Sequence, residues 1–381
     1  MIYFDNGATS FPKPPQVASA VMAALAAPAS PGRSGHAAAM SAGRTVHRAR
    51  KAMARLFGIK DNSRLCFGPN VTWALNAALF GLNLQKGDHV LSGTLEHNST
   101  ARPLDRLRRE RGVDWEAVPS RGGRMLAEDF KSRLRPETRL IVLNHASNVT
   151  GALAPAREIK EAAGGVPLLL DAAQTAGSVP LDDAGDWVDL LAFTGHKGLL
   201  GPTGTGGLYV SPEIELLPFS VGGSGSRSES LEHPGFLPDA LEAGTANTHG
   251  LAGLAAGVEY LLERGVPAVR EHELGLAGLF LEKIGGVPGV SVQGPKLGEE
   301  DRVAAVSLNL AGWSSSDLAA ALEREHGILV RPGLHCAPLT HRELGTFPGG
   351  SARFSFGPFN TADEIAAGAR ALASLAAGGG R

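Results

Sequence analysis

Residues 166–197 read VPLLLDAAQTAGSVPLDDAGDWVDLLAFTGHK. Two apolar runs, VPLLLD and VDLLAF, each give way to polar residues, at Asp171 and at Thr194. Neither run alternates apolar with polar, so a strand built from either must be covered on both faces. Strands of that kind belong to a mostly parallel sheet flanked by helices, which sets the fold class as α/β. The segment ends on Lys197, a lysine in glycine-rich, apolar surroundings. Such a lysine reaches solvent along its stem, pairs with an acid, or is held desolvated as a nucleophile.

The same pattern extends outward. The β-rich runs RLCF, DHVLSG, TRLIVLN and GGLYV are separated by helix-like stretches such as SAGRTVHRARKAMARLFG, VTWALNAALFGL and LAEDFKSRL. Residues 14–250 therefore read as one large domain. After EAGTANTHG, helices (GLAGLAAGVEYLLERG, SSSDLAAALEREHG, TADEIAAGARALASLAA) mix with fewer strands (RVAAVSLNL, ILVRP, SARFSF). That change marks a smaller α+β domain over residues 251–381, joined by the N-terminal segment 1–13.

Composition narrows the function. Of 381 residues 43% are hydrophobic, and 36 Lys and Arg nearly balance 38 Asp and Glu, so neither a polyanion nor a membrane surface is indicated as a partner. No signal peptide and no apolar run of about 18 residues is seen, so a cytoplasmic protein acting on a small molecule is expected. The cysteines, Cys66 and Cys336, lie 270 positions apart and form no CxxC pair. Neither a disulfide framework nor a structural metal site is expected. Cys66, in RLCFGPN, reads as a small buried side chain; Cys336, in the turn-rich RPGLHCAPLTH, reads as exposed, with Arg331, His335 and His341 placed to lower its pKa.

In a parallel sheet ligands bind beyond the carboxyl ends of the strands. Polar clusters follow five apolar runs and place Thr72, His97, Asn148, Asp171, Gln174, Thr194, His196 and Lys197 on one rim. The turn before Thr72 opens a helix and suits a phosphate, while Asp171 and Lys197 suit a heterocycle bearing an aldehyde. Taken singly, each has a plainer reading: Asp171 a helix cap, the histidines structural groups, Lys197 a snorkelling surface lysine. Their joint order on successive strand ends is what favours a site.

In this order, YFDNGATSFPKP, EHNS, SNVTG, DAAQ, TGHKGLLGPTGTG, EAGTANT, RPGLHCAP and ARFSFGPFNT resemble the class V aminotransferase group of fold-type I pyridoxal-phosphate enzymes, and within it the cysteine desulfurases. The resemblance covers nearly the whole chain and implies the cofactor pyridoxal 5'-phosphate. It implies that Lys197 holds the cofactor covalently, Asp171 faces the pyridine nitrogen, Gln174 bonds the phenolic oxygen and His97 stacks on the ring and moves protons. Thr72, Thr194 and His196 would take the phosphate. Thr245 would reach it from a neighbouring subunit, which implies a homodimer. Arg353, with Asn148, would clamp the carboxylate of L-cysteine, and Cys336 would take the sulfur as a persulfide, leave L-alanine and pass the sulfur to an acceptor protein. Only 17 positions separate Cys336 from Arg353, closer to the family's second branch, with its short cysteine loop. The chain departs from that branch where Leu334 precedes His335, where GPNVT forms the phosphate turn, and in SPGRSGH at residues 30–36. Selenocysteine cleavage, transamination, C–S β-elimination and a scaffold with little turnover stand as alternatives.

Overall fold

The computed structural model describes residues 1–28, 30–31, 35–295 and 301–378, so part of SPGRSGH lies outside the described residues. Its centre is a seven-stranded sheet built from β2 (Leu65–Gly68), β3 (His89–Gly93), β4 (Asp114–Val118), β5 (Thr138–Asn144), β6 (Leu168–Asp171), β7 (Leu190–Thr194) and β8 (Gly206–Val210). The spatial order is β2-β8-β7-β6-β5-β3-β4. Only β8 runs antiparallel to its neighbours; the remaining pairs are parallel.

The continuous apolar runs do what their lack of alternation requires. Leu168, Leu170, Leu191 and Phe193 enter one core, with α2 (Ala37–Leu56), α6 (Ala156–Ala163) and α7 (Thr248–Arg264). Leu169, Leu190 and Ala192 enter the opposite core, with α3 (Val71–Gly81) and α4 (Asn98–Arg111). The antiparallel strand needs a glycine: a Cβ on Gly207 would lie 2.4 Å from the Cys66 carbonyl oxygen. Helix α1 (Pro15–Leu25) packs on α7, and the short α5 (Ala127–Lys131) adds Phe130 to the first core.

A second, antiparallel sheet has the order β12-β13-β10-β9, from β9 (Val290–Gln293), β10 (Ala305–Leu310), β12 (Arg331–Gly333) and β13 (Ser351–Ser355). Helices α8 (Val266–Ile284), α9 (Ser315–His326) and α11 (Ala362–Ala377) share its core, where Phe4, Phe280, Phe354 and Phe356 cluster. Strand β1 (Ile2–Tyr3) runs parallel to β11 (Ile328–Leu329), which ties the N-terminus to this part of the molecule. Helix α10 (Pro338–Glu343) follows Cys336.

The run ILVRP, read from sequence as one strand, is two. β11 pairs with β1, and β12 turns to pair with β13. Strands β1, β4 and β9 and helices α1, α4, α6, α8 and α10 have no counterpart among the runs read from the sequence. Among the described residues no helix is long and apolar enough to cross a membrane.

Candidate active site

The parallel register brings the strand ends together: Asn144 pairs with Asp171, and Asp171 with Ala192. Asp171 is buried, and its Oδ1 accepts the Ala173 amide at 2.9 Å. Burial pushes its carboxyl up to about 6, opposed by that hydrogen bond and by Lys197, so it is ionised at neutral pH. Lys197 lies three residues past β7 in a turn where Leu200 donates to the Lys197 carbonyl. Burial lowers its amine to about 8; Asp171 opposes the shift, and Arg353 and Arg331 add to it. Gln174 donates to the Gly7 carbonyl at 3.1 Å and lines, with Lys197, a small cavity.

His97 is the N-cap of α4: its Nδ1 accepts the Ser99 amide at 3.0 Å. An accepting Nδ1 places the proton of the neutral ring on Nε2. Burial, reinforced by the charges of Lys197, Arg331, Arg353 and Arg102, holds its pKa down to about 3. Thr72 sits in the first turn of α3, after the cap formed by Asn70 on the Trp73 amide, and its hydroxyl meets Ser99 Oγ at 2.8 Å. Thr194 Oγ1 and His196 Nδ1 are buried polar atoms without a hydrogen-bond partner among the described residues. Such atoms are normally satisfied, so they fit an absent ligand rich in acceptor oxygens, as a phosphate is. With the first-turn amides of α3, the carboxylate of Asp171 and the desolvated amine of Lys197, the donor set suits a phosphorylated, basic heterocycle carrying an aldehyde.

Arg353 is fully buried on β13. Its Nη2 donates to Asp5 Oδ1 at 2.9 Å and its Nη1 to the Asn148 carbonyl at 3.1 Å, while Nε has no partner. Asn148 in turn donates its amide to the His335 carbonyl at 2.7 Å, which links the arginine to the cysteine loop. His335 and Cys336 both adopt positive φ, 50° and 57°. Two successive left-handed non-glycine residues cost roughly 1–3 kcal/mol each. The Asn148 bond and the Asn98 amide, which donates to the Cys336 carbonyl at 2.7 Å, hold them there.

Cys336 is exposed, with Arg331 Nη2 at 3.7 Å from Sγ, and it shares a cleft with His97, Thr72 and Ser99. The expected help from two histidines fails. His335 is buried with Nε2 bonded to Ser351, and burial drives its pKa far down; His341 is also buried, bonded to Thr346, and shifted the same way. Both rings are neutral, so Arg331 supplies the adjacent positive charge. Cys66 is fully buried and its thiol is pushed far up by burial.

Thr245 lies in an exposed loop lining a separate cleft with Gly68, Pro69 and Trp73. This chain does not place it beside His97 and Cys336.

Sequence reasoning missed the N-terminal clasp and Glu96. The His196 carbonyl, one residue before Lys197, receives the Ser10 amide, the Thr9 and Ser10 hydroxyls and the Lys13 amine. Glu96 is buried at the base of the rim, and its Oε1 accepts the Asn144 amide at 2.9 Å. Burial raises its carboxyl to about 8. Both lie inside motifs already noticed, YFDNGATSFPKP and EHNS, but no periodicity distinguishes them.

The class-V aminotransferase family model matches residues 2–367. A probable cysteine desulfurase of Methanothermobacter thermautotrophicus is 32% identical over 88% of this chain and 85% of its own length. Probable cysteine desulfurase 2 of Mycobacterium leprae is 34% identical over 96% of this chain and 89% of its own length. Among solved structures, the apo cysteine desulfurase of Thermococcus onnurineus superposes with a TM-score of 0.92 at 30% identity, covering 99% of this chain and 95% of that one.

Proposed function

The chain belongs to the class V aminotransferase family, whose members depend on pyridoxal 5'-phosphate, and from that premise we propose that it is a cysteine desulfurase converting L-cysteine to L-alanine with the sulfur carried on Cys336. One observation carries the reading: an exposed thiol, flanked by Arg331, opens onto the same cleft as His97 and Thr72.

The residues fit the cofactor. Lys197 would hold it covalently, Asp171 would face its ring nitrogen, Gln174 its phenolic oxygen, and Thr72, Thr194 and His196 its phosphate. When bound, the cofactor supplies an electron sink beside the substrate Cα. Lys197, lowered to about 8, has a substantial unprotonated fraction near neutral pH and so exchanges a proton readily. His97 holds one proton on Nε2 and stays neutral throughout the physiological range. Arg353, fixed by Asp5 and the Asn148 carbonyl, keeps Nε and further hydrogens for a substrate carboxylate. The Cys336 thiolate attacks the substrate sulfur; an S–S bond forms, the carbon–sulfur bond breaks, and its electron pair stays with the three-carbon skeleton, which takes up a proton to become alanine.

We further read the active unit as a homodimer in the cytoplasm. Thr245 is exposed and apart from the rim, and Val221 and Leu231, at 68% and 107% exposure, lie exposed on the same long connection between β8 and α7. A second copy would cover them.

The test is product analysis: holoenzyme with L-cysteine should release alanine and sulfide in equal amounts when a reducing thiol is present. Pyruvate in place of alanine would replace this reading with C–S β-elimination, and turnover confined to selenocysteine would replace it with selenocysteine cleavage.

A further inference from the structure

The cleft that exposes Cys336 is lined on the α4 side by Arg102 and Arg106 and on the α3 side by Thr72 and Asn76. It continues into a second cleft that shares Thr72, Asn76 and Arg106 and adds Arg111. Among the described residues no carboxylate lines either stretch. Arg102 is exposed and has no ion pair among the described residues; Arg106 is bridged by Glu110 at 2.8 Å, but both partners are more than half exposed, so its charge is only screened. Arg106 and Arg111 also lie over the Phe80 ring, which fixes them along the groove. Arg331 Nη2 stands 3.7 Å from the thiol sulfur.

The cysteine itself is tied down. Its carbonyl accepts the Asn98 amide, the preceding carbonyl accepts Asn148, and Ala337 donates back to Leu334. A thiol so held cannot travel to a distant acceptor, so the acceptor must come to it.

We propose that the Arg102–Arg106–Arg111 groove docks an acidic segment of a sulfur-acceptor protein and delivers that segment's thiol to Cys336. The inference rests on Cys336 being the sulfur carrier. In the transfer the acceptor thiolate attacks the outer sulfur of the Cys336 persulfide. A new S–S bond forms to that sulfur, the bond between the two Cys336 sulfurs breaks, and Cys336 leaves as a thiolate, with no external oxidant or reductant. Opposite charge along the groove concentrates an acidic partner and orients it; a basic one is repelled.

The test uses thiol–disulfide exchange on the holoenzyme. Two short peptides, one with glutamates and one with lysines flanking a single cysteine, are activated as mixed disulfides with thionitrobenzoate. Release of thionitrobenzoate gives the rate with Cys336, each rate being normalised to that with free 2-mercaptoethanol. The acidic peptide should react at least about tenfold faster at low salt, with the gap closing as the Debye length shrinks. In the Arg102→Gln, Arg106→Gln double variant the two peptides should react at similar rates, while alanine formation with a small reducing thiol persists. Equal normalised rates in the parent protein, or a gap that survives the double variant, would overturn the proposal. A groove covered by a second copy gives the equal-rate result. Exchange needs only the thiol, so an enzyme that forms no persulfide on Cys336 would sink the desulfurase reading while leaving this test intact.

Discussion

Arg353 and Asp5 stand 348 positions apart in the chain, and their side chains meet at 2.9 Å in the fold. The guanidinium is fully buried and Asp5 is the only acid paired with it among the described residues. Asp5 therefore does two things: it neutralises a charge the fold has taken out of water, and it fixes the direction of the fork. Replacing Asp5 with Asn keeps the shape and removes the charge. The expected loss is about 3 kcal/mol of unfolding free energy, because breaking a buried pair from one side strands the other charge. Denaturant titration of the parent and variant checks this, and a loss below about 1 kcal/mol would mean that solvent or another group already compensates Arg353.

The same arginine carries a kinetic prediction. Arg353→Ala should lower kcat/KM for L-cysteine by roughly 30- to 150-fold, chiefly through KM, since a charged hydrogen-bonding group is worth about 2–3 kcal/mol. Arg353→Lys should recover only part, because a point charge cannot reproduce the fork or reach Asp5 and the Asn148 carbonyl together. Equal KM values in all three proteins would place the carboxylate site elsewhere.

Much of this was legible in the sequence, for a physical reason. Strands covered on both faces are apolar at every position, so LLLD and LLAFT announced themselves, and the polar residues that end them marked the rim. Helix α4 was not legible: NSTARPLDRLRRER carries Pro103 and a dense set of charges, and it is held by Leu104 and Leu107, which pack in the core with sheet residues such as Val90, Leu140 and Val142. Strand β4 is half exposed, and its Trp115 bonds Ser92 of β3, a contact that exists only once the sheet has formed. The state of the histidines near Cys336 was misread because proximity in sequence suggested positive charge. Burial of His335 against Ser351 and of His341 against Thr346 lowers both rings below the usual imidazole range, and burial is a property of the fold.

Lys197 gives a prediction with a sign. Its amine is lowered to about 8 by burial, and the unprotonated form is the nucleophile. The rate at which cofactor-free protein captures pyridoxal phosphate should climb with pH and level off just above 8, instead of climbing on towards the ordinary lysine value of about 10.4. Borohydride should then fix the cofactor on the Lys197 peptide. Lys197→Ala should fold normally, as its Nζ makes no hydrogen bond among the described residues, but it should retain no cofactor after reduction and denaturation. Label on another lysine would refute the assignment.

The two thiols make the sharpest comparison. Cys66 is fully buried on β2, beside β8, and its burial holds the proton on sulfur, so Cys66→Ala should cost about 1 kcal/mol for the lost packing and leave turnover unchanged. Cys336 is exposed, has a guanidinium at 3.7 Å, and is kept in place by Asn98 and Asn148 through the backbone. Those contacts use main-chain oxygens, so Cys336→Ala removes the thiol and leaves the loop as it was. The variant should keep its cofactor chromophore and still shift its spectrum on adding cysteine, because neither Lys197 nor Arg353 has been touched. It should nonetheless release less than about one hundredth of the parent sulfide, since a covalent route that loses its nucleophile forfeits most of its rate. Mass spectrometry of the parent after one turnover should find one extra sulfur on the peptide containing Cys336 and none on that containing Cys66. Desulfuration by Cys336→Ala at the parent rate would transfer the assignment to selenocysteine cleavage or β-elimination, neither of which requires a thiol at that position to accept the sulfur.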